Sequence, residues 1–244
     1  MLSKSEVKYI QTLSQKKQRV SEGLFIIEGP KLVIEAIGNK IAKINKVYAL
    51  ASWVLENEIA LAEIETTIIT NWELEKISQL ISPNQVLALV HTPDSQEFVP
   101  EEKGISLALD GIQDPGNLGT IIRIADWFGI KQIICSKDCA DAYNFKVVQA
   151  TMGSIFRIKI FYTDLEACLR QHSDLAVYGA VLDGKSIGQF APPERGIIII
   201  GNESKGIREN ILPYVTEKIT IEKRGAAESL NAAVATGIIL SQLT

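Results

Sequence analysis

The chain has 244 residues, of which 46% are hydrophobic and 22% are charged. This composition is typical of a globular protein with one large domain or two modest ones, and it argues against disorder. The net charge of −4 is unevenly spread, because residues 1–46 hold nine Lys and Arg against four Glu, whereas residues 47–103 hold two against ten acidic residues. The basic N-terminal part could attract a phosphate backbone or be a solvated helix face.

Two further features narrow the class of protein. No apolar run approaches the roughly 20 residues of a membrane span, and the polar, basic N-terminus lacks the apolar core of a signal peptide. We therefore expect a cytoplasmic protein with no membrane segment. No second pair of cysteines accompanies Cys135 and Cys139 to complete a zinc site, so we expect reduced, buried cysteines and no metal.

The first 90 residues alternate between short strand-like runs and helical patterns. Strands are predicted at 24–29, 43–50, 66–70 and 86–90, and helices at 31–37, 52–61 and 71–81. This alternation predicts a compact α/β unit of about 90 residues. The segment 91–104 is rich in proline and acidic residues and is predicted to be a linker.

The alternation is plainer after the linker. Strands are predicted at 105–110, 131–136, 156–161, 175–182, 196–201 and 216–221, with helical stretches between most of them. The run GIIIIG at 196–201 is typical of a central parallel strand covered on both faces. We therefore predict a doubly wound, mostly parallel sheet. Ligands bind at the carboxyl ends of such strands, which directs attention to the loops after residues 109, 182, 200 and 221.

The first of these loops leads into a helix. Asp114–Gly116 is predicted to form a turn, and Asn117 is the expected N-cap of the helix. Gly119 lies one turn before Arg123, so a bulky anion could reach both the guanidinium and the helix N-terminus. The alternative is an ion pair between Arg123 and Asp126. A nicotinamide cofactor is disfavoured, because the three-glycine dinucleotide fingerprint is missing.

Two later loops place polar groups beside apolar segments. Asn202 and Glu203 directly follow the buried strand 196–201, which suggests either a binding crevice or a plain polar turn. The last segment, RGAAESLNAAVATGIIL, predicts a helix that is apolar on every side and therefore lies in a core. Ser229 is the expected cap of this helix, Glu228 falls in its first turn, and Asn231 is left inside it, where asparagine is unfavourable.

Four segments together resemble a known family. NLGTIIRIA, KVVQATMGSIFRIKI, IIIIGNESKGI and ITIEKRGAAESLNAAVATGIIL are similar to the successive signature segments of the SpoU-type RNA 2′-O-ribose methyltransferases, which are TrmH-like members of the SPOUT class. Upstream, QRVSEGLFIIEGPKLVIEAI and ISPNQVLALV resemble the small L30e-like substrate-binding domain of many rRNA-modifying members. The resemblance implies an RNA substrate-binding domain at residues 1–95 and a methyltransferase domain at residues 104–244.

The resemblance also implies a mechanism and its residues. It implies S-adenosylmethionine as methyl donor, a C-terminal trefoil knot, and a homodimer whose active site draws on both subunits. The implied catalytic residues are Asn117, Arg123, Glu203, Ser229 and Asn231, and the implied cofactor-binding residues are Leu182, Gly201, Ile221 and Leu230.

The chemistry assigns a role to Arg123. A ribose 2′-hydroxyl gains negative charge as it attacks the methyl group, and a guanidinium stays protonated, so Arg123 is expected to stabilise that oxyanion and hold the adjacent phosphate. The proton acceptor is unassigned. Glu203 is expected to orient Arg123 or Asn117, or to make a purely structural hydrogen bond.

The predicted function is 2′-O-ribose methylation of structured RNA, with rRNA as the favoured substrate because of the N-terminal domain. The alternatives are a tRNA 2′-O-methyltransferase, a non-catalytic RNA-binding or ribosome assembly factor on the same fold, and a small-molecule Rossmann enzyme.

Overall fold

The structure, a computed structural model, describes residues 1–94 and 96–244. Of the predicted linker, Ser95 therefore lies outside the described residues. The described chain divides into two compact units, which we call unit 1 (residues 1–94 and 143–156) and unit 2 (residues 96–142 and 157–244).

Unit 1 is a four-stranded mixed sheet with helices. The order of the strands is β1-β4-β2-β3, in which β4 pairs antiparallel with both neighbours and β2 pairs parallel with β3. The strands are β1 (Leu24–Glu28), β2 (Ile44–Leu50), β3 (Thr66–Ile69) and β4 (Val86–His91). The helices are α1 (Lys4–Thr12), α2 (Lys16–Glu22), α3 (Pro30–Gly38), α4 (Ala51–Glu56), α5 (Glu58–Leu61), α6 (Asn71–Ile77) and α8 (Phe145–Thr151), with a 3-10 turn at Ser154–Phe156.

The helix predicted at 52–61 is interrupted. Asn57 separates α4 from α5, with a non-helical φ of −122° and ψ of 20°. Its side-chain Nδ2 donates a hydrogen bond of 2.7 Å to the carbonyl of Trp53. Asparagine competes in this way with the backbone pattern of a helix, so the helical periodicity of the sequence continues across a break in the helix itself.

The segment 143–156 packs with unit 1, although the predicted domain boundary assigns it to the C-terminal domain. The ring centroids of Tyr143 and Phe25 are 4.9 Å apart, and the Gln149 side chain donates to the carbonyl of Glu28 at 3.1 Å. The apolar residues Val147 and Val148 of α8 are fully buried, and α8 lies against β1. Burial stabilises an apolar helix face whichever element covers it, and the apolar face of α8 is covered by unit 1.

Unit 2 contains a six-stranded sheet. The order is β10-β8-β9-β5-β6-β7, and each recorded pairing among these strands is parallel. The strands are β5 (Gly104–Asp110), β6 (Gln132–Ser136), β7 (Lys159–Thr163), β8 (Val177–Ser186), β9 (Arg195–Gly201) and β10 (Glu217–Thr220). The helices are α7 (Pro115–Trp127), α9 (Leu165–Gln171) and α10 (Ala232–Leu243), with 3-10 turns at Ile187–Gln189 and Leu212–Tyr214.

The predicted doubly wound, mostly parallel sheet is confirmed. The run GIIIIG lies in β9, between β8 and β5, and Ile197–Ile200 are buried. From β5 the chain first adds β6 and β7 on one side, and later adds β8, β9 and β10 on the other. The order of connection therefore reverses between β5 and β9, whose ends Asp110 and Gly201 are partners in the sheet. Such a reversal opens a crevice where ligands bind.

The start of α7 differs from the prediction. Asp114, not Asn117, is the N-cap, since its Oδ1 accepts a hydrogen bond of 2.7 Å from the backbone amide of Asn117. Pro115 then occupies the first helical position, where a missing amide hydrogen has no cost. Asn117 is the third residue of the helix, and its side chain is free for other contacts.

The start of α10 also differs from the prediction. The helix begins at Ala232, and Asn231 is its N-cap, with Oδ1 accepting from the amides of Ala233 at 2.9 Å and Val234 at 3.3 Å. Glu228 and Ser229 lie in the exposed loop before it. The expectation that Ser229 caps this helix was therefore wrong. Asparagine is at least as good a cap as serine, which explains a residue that is unfavourable inside a helix.

Three other expectations can be compared with the structure. The strand predicted at 156–161 lies at Lys159–Thr163, because Ser154–Phe156 form a 3-10 turn in unit 1. The three cysteines are buried and unpaired, as predicted. Across residues 1–94 and 96–244, no helix combines the length and the apolar character that crossing a membrane requires.

Candidate active site

Asn117 lies at the centre of a hydrogen-bonded group of side chains. Its Nδ2 donates to Oε1 of Glu203 at 2.6 Å, and its Oδ1 accepts from Nδ2 of Asn231 at 2.8 Å. These residues come from three parts of unit 2: α7, the loop after β9 and the cap of α10. The structure thus brings together three of the five predicted catalytic residues, which are up to 114 positions apart.

Asn202 joins this group to the end of β5. Its Nδ2 donates to the carbonyl of Gly111 at 2.7 Å and to Oε2 of Glu203 at 3.3 Å. Its Oδ1 accepts from the amides of Ser204 and Lys205. We call Asn117, Asn202, Glu203 and Asn231 the amide–carboxylate network. Each member is anchored to a strand end or a helix start, so the network holds Glu203 in a defined orientation.

Glu203 therefore contacts Asn117, which was one of its predicted partners, and not Arg123. The carboxylate accepts one amide hydrogen on each oxygen, from Asn117 and from Asn202. Asn202 was expected with Glu203 in a binding crevice or a polar turn, but it was not among the predicted catalytic or cofactor-binding residues.

Arg123 lies further along α7 with its side chain exposed. It is six residues after Asn117, which corresponds to about 9 Å along a helix axis. Within the described ranges, Arg123 has no hydrogen-bond or ion-pair partner. The alternative ion pair between Arg123 and Asp126 is not found among the described residues; instead, Nε and Nη2 of Arg157 donate to Oδ2 of Asp126 at 2.8 and 2.7 Å. The guanidinium of Arg123 is available to a ligand.

Ser229 is the predicted catalytic residue that the structure does not bring into the network. It lies in the exposed loop between β10 and α10, two residues before the cap. Its hydroxyl has no hydrogen-bond partner among the residues that the structure describes. A role for Ser229 stays a prediction.

A polar cleft of about 300 Å³ lies beside the network. Its floor contains Asp110, which is fully buried and accepts from the backbone amide of Arg208 at 2.8 Å and from its Nε at 2.6 Å. The hydrogen bond with Asp110 raises the pKa of Arg208 above its ordinary value. On the rim, the hydroxyl of Ser136 donates to Asp138 and lowers the pKa of that carboxyl, and Arg208 adds to the effect.

Sequence reasoning missed this ion pair between the buried Asp110 and the partly exposed Arg208. The sequence contained a signal for one member of the pair. Asp110 is the last residue of a largely apolar strand, and a buried carboxylate requires a partner. Its partner Arg208 is 98 residues away, and nothing in the local pattern distinguishes Arg208 from other surface arginines.

Of the predicted cofactor residues, Gly201 ends β9 and Ile221 directly follows β10, whereas Leu182 lies within β8 and Leu230 lies in the loop before α10. The pairing of β8 with β10 is interrupted. Lys218 pairs with Gly179 and the next residue, Ile219, pairs with Lys185, so residues 180–184 of β8 are not paired with β10. Leu182 lies in this stretch with 81% of its side chain exposed, and its carbonyl accepts from the Thr220 hydroxyl at 3.3 Å. This bond places Leu182 close to the residue that precedes Ile221.

Backbone segments approach each other closely at Gly201 and at Gly184. A Cβ at Gly201 would lie 2.2 Å from the Gly206 carbonyl carbon, and one at Gly184 would lie 2.6 Å from the Ile219 carbonyl carbon. Leu230, in the loop before α10, is 47% exposed. Exposed leucines and accessible backbone groups can bind a purine base and its hydrogen-bonding edge, and a cofactor role for these residues stays a prediction.

Comparisons with known proteins show which chains are similar to this one. The 23S rRNA (guanosine(2553)-2′-O)-methyltransferase RlmP of Bacillus subtilis is 28% identical over 241 residues, which cover 98% of this chain and 95% of that protein. The 23S rRNA (guanosine-2′-O-)-methyltransferase RlmB of Neisseria meningitidis is 31% identical over 157 residues, covering 63% of this chain and 62% of that protein.

A solved structure is also similar over its whole length. The AdoMet-bound rRNA methyltransferase from Sinorhizobium meliloti has a TM-score of 0.89 and 30% identity, and the match covers 100% of this chain and 96% of that one. The profile of the MRM3-like substrate binding domain matches residues 4–88, and the profile of the SpoU rRNA Methylase family matches residues 104–241. The chain belongs to the SpoU rRNA Methylase family.

Proposed function

We propose that this protein transfers the methyl group of S-adenosylmethionine to a ribose 2′-oxygen of rRNA. The amide–carboxylate network carries the proposal, because it joins three separated signature segments at the crevice of a parallel sheet. The names of the similar proteins support the reaction and the RNA, since RlmP and RlmB are 23S rRNA 2′-O-methyltransferases.

Arg123 is the proposed electrophilic residue. Negative charge develops on the ribose oxygen in the transition state, and a guanidinium without an ion-pair partner among the described residues can stabilise it and contact the neighbouring phosphate. Asn117, Glu203 and Asn231 are proposed to position the ribose, because their side chains are fixed by hydrogen bonds on rigid elements. Ser229 is proposed to join them from the loop before α10.

Leu182, Gly201, Ile221 and Leu230 are the residues proposed to hold S-adenosylmethionine. When bound there, the cofactor supplies a methyl group on a positively charged sulfur. The two leucines would cover the purine, and backbone groups near Gly201 and Ile221 would bind its polar edge. A trefoil knot in the C-terminal segment is part of this proposal, as the means of holding these loops together.

The proposed assembly is a homodimer that acts in the cytoplasm. Two large apolar side chains favour a partner surface on unit 2, namely Trp127 on α7, which is 84% exposed, and Val234 on α10, which is 51% exposed. Residues 1–95 are proposed to bind the RNA, with the basic first 46 residues contacting phosphates.

The test uses total RNA from a strain that lacks the protein, purified S-adenosylmethionine, and mapping of new 2′-O-methyl groups by sequencing and mass spectrometry. Wild-type protein should add methyl groups to rRNA. Arg123→Ala should lower the rate about 100-fold or more, as expected for loss of a group that stabilises an oxyanion. Arg170→Ala is the control, because Arg170 makes an exposed ion pair on α9, away from the site.

Other outcomes would contradict parts of the proposal. New methyl groups in tRNA alone would change the substrate. Stoichiometric RNA binding without any methyl transfer would instead identify an assembly factor. An unchanged rate in Arg123→Ala would remove the role assigned to that residue.

A further inference from the structure

The ion pair between Arg157 and Asp126 determines the surroundings of Arg123. Arg123 and Asp126 are three positions apart on α7, a spacing that places an arginine and an aspartate side by side on a helix and favours their pairing. Arg157, which precedes β7, binds Asp126 through two hydrogen bonds instead. The Asp126 side chain is 22% exposed and is therefore partly shielded from water, whereas the Arg157 side chain is 40% exposed.

Partial burial of Asp126 and the two hydrogen bonds from Arg157 both favour the pair between Arg157 and Asp126 over a pair between Arg123 and Asp126. Two guanidinium nitrogens of Arg157 donate to one carboxylate oxygen, and each of these charge-assisted hydrogen bonds is stronger than one between neutral groups. Partial burial strengthens an ion pair relative to one in water. Asp126 therefore has its negative charge compensated from outside α7, and Arg123 keeps its donors free.

We propose that Arg157 is a positioning residue for methyl transfer, which keeps the guanidinium of Arg123 unpaired by holding and neutralising Asp126. This inference rests on the proposed function, in which Arg123 contacts the ribose oxygen and the phosphate. Without Arg157, the freed carboxylate pairs with Arg123, draws its guanidinium away from the RNA and adds a negative charge beside the developing oxyanion.

Three variants separate this role from the alternatives. Arg157→Gln removes the compensating charge and should lower kcat/KM about 10-fold, a value between the effects of an exposed and a buried ion pair. Asp126→Asn also breaks the pair but leaves no acid to capture Arg123, so it should keep nearly wild-type activity. The double variant Arg157→Gln with Asp126→Asn should recover the activity that Arg157→Gln loses.

The measurements are methyl transfer to rRNA from the strain lacking the protein, thermal unfolding, and binding of that rRNA as a function of salt. The salt dependence of binding should weaken by about one phosphate contact in Arg157→Gln, because Arg123 is withdrawn, and should recover in the double variant. Thermal unfolding reports whether each variant is folded.

Two patterns would overturn the inference. Equal losses of activity and of unfolding temperature in all three variants would show that the ion pair only stabilises the fold. A low activity in folded Arg157→Gln that the added Asp126→Asn fails to restore would show that Arg157 acts other than through Asp126. Both patterns require an active wild-type protein, whereas an inactive wild-type protein would contradict the proposed function instead.

Discussion

At the scale of single residues, two asparagines determine the geometry of the site. An amide side chain both donates and accepts hydrogen bonds, and Asn117 and Asn231 use both capacities. Asn231 accepts from the first turn of α10 while it donates to Asn117. The Oδ1 of Asn117 already accepts from Asn231, so the Nδ2 of Asn117 faces the carboxylate of Glu203 and donates to it.

Substitutions at Asn231 should separate capping from positioning. Asn231→Ala loses both, so the free energy of unfolding should fall by about 1–2 kcal/mol and methyl transfer should fall as well. Asn231→Asp keeps an oxygen that caps α10, and its stability should stay near that of the wild type. It cannot donate to Asn117, which would then turn its own oxygen towards Glu203, so methyl transfer should fall about 10-fold.

Chemical denaturation and methyl-transfer assays on both variants make the comparison. A fully active Asn231→Asp protein would show that the bond between the two asparagines has no part in the reaction.

At the scale of elements, the loop after β9 is shaped by the contact between Gly201 and the residues just beyond the turn. Asn202 and Gly206 form a small β-bridge, with backbone bonds of 3.0 and 2.9 Å. This bridge folds the chain back so closely that a side chain at Gly201 has no space. The same turn places the side chains of Asn202 and Glu203 in the network. The turn therefore accounts both for the close packing of the backbone at Gly201 and for the position of the Glu203 carboxylate.

Gly201→Ala should therefore disturb both stability and the site. The added methyl group would lie 2.2 Å from the carbonyl carbon of Gly206, and backbone can relieve this only by moving. We expect a loss of about 1–3 kcal/mol in the free energy of unfolding, together with weaker S-adenosylmethionine binding. Gly188→Ala is a matched control, because its nearest neighbour would be a serine hydroxyl at 3.9 Å.

Thermal unfolding and calorimetric titration with S-adenosylmethionine test this expectation. Equal behaviour of the two alanine variants would show that the loop after β9 can open without consequence.

At the scale of the whole molecule, the order of segments in the chain differs from their grouping in space. Residues 143–156 belong in sequence to the stretch matched by the SpoU profile, yet they pack with unit 1. The chain leaves unit 2 after residue 142 and returns to it after residue 156. Their apolar side chains are covered by β1, so unit 1 is incomplete without them.

A charge buried in α8 should consequently destabilise unit 1. Val148→Asp places a carboxylate at a fully buried position, which costs several kcal/mol unless a partner compensates it. Hydrogen exchange should rise in β1 and α8 and stay low in β5 and β9. Lys146→Asp, at an exposed position on the same helix, is the control and should leave the exchange pattern unchanged.

Exchange measured by mass spectrometry locates the effect on the chain. A rise confined to β5 and β9 would contradict the packing of α8 with unit 1.

The sequence by itself determined the strands, the parallel sheet, the crevice and the family. Hydrophobic runs such as GIIIIG identify a buried strand because burial depends on the local pattern of apolar residues. Conspicuous polar residues beside such runs, among them Asn117, Glu203 and Asn231, together with the resemblance to a family, indicated the candidate site. These signals are local, and a single stretch of chain contains each of them.

Only the tertiary structure decided which groups meet. The two caps are local: Asp114 caps α7 in place of Asn117, and Asn231 caps α10 in place of Ser229. Contacts between distant residues are what the tertiary structure decided. The bond between Asn117 and Asn231, and the capture of Asp126 by Arg157, join residues that are far apart along the chain. Hydrogen bonds and ion pairs act over a few ångströms in space, so periodicity along the chain does not specify which of several donors reaches a given acceptor.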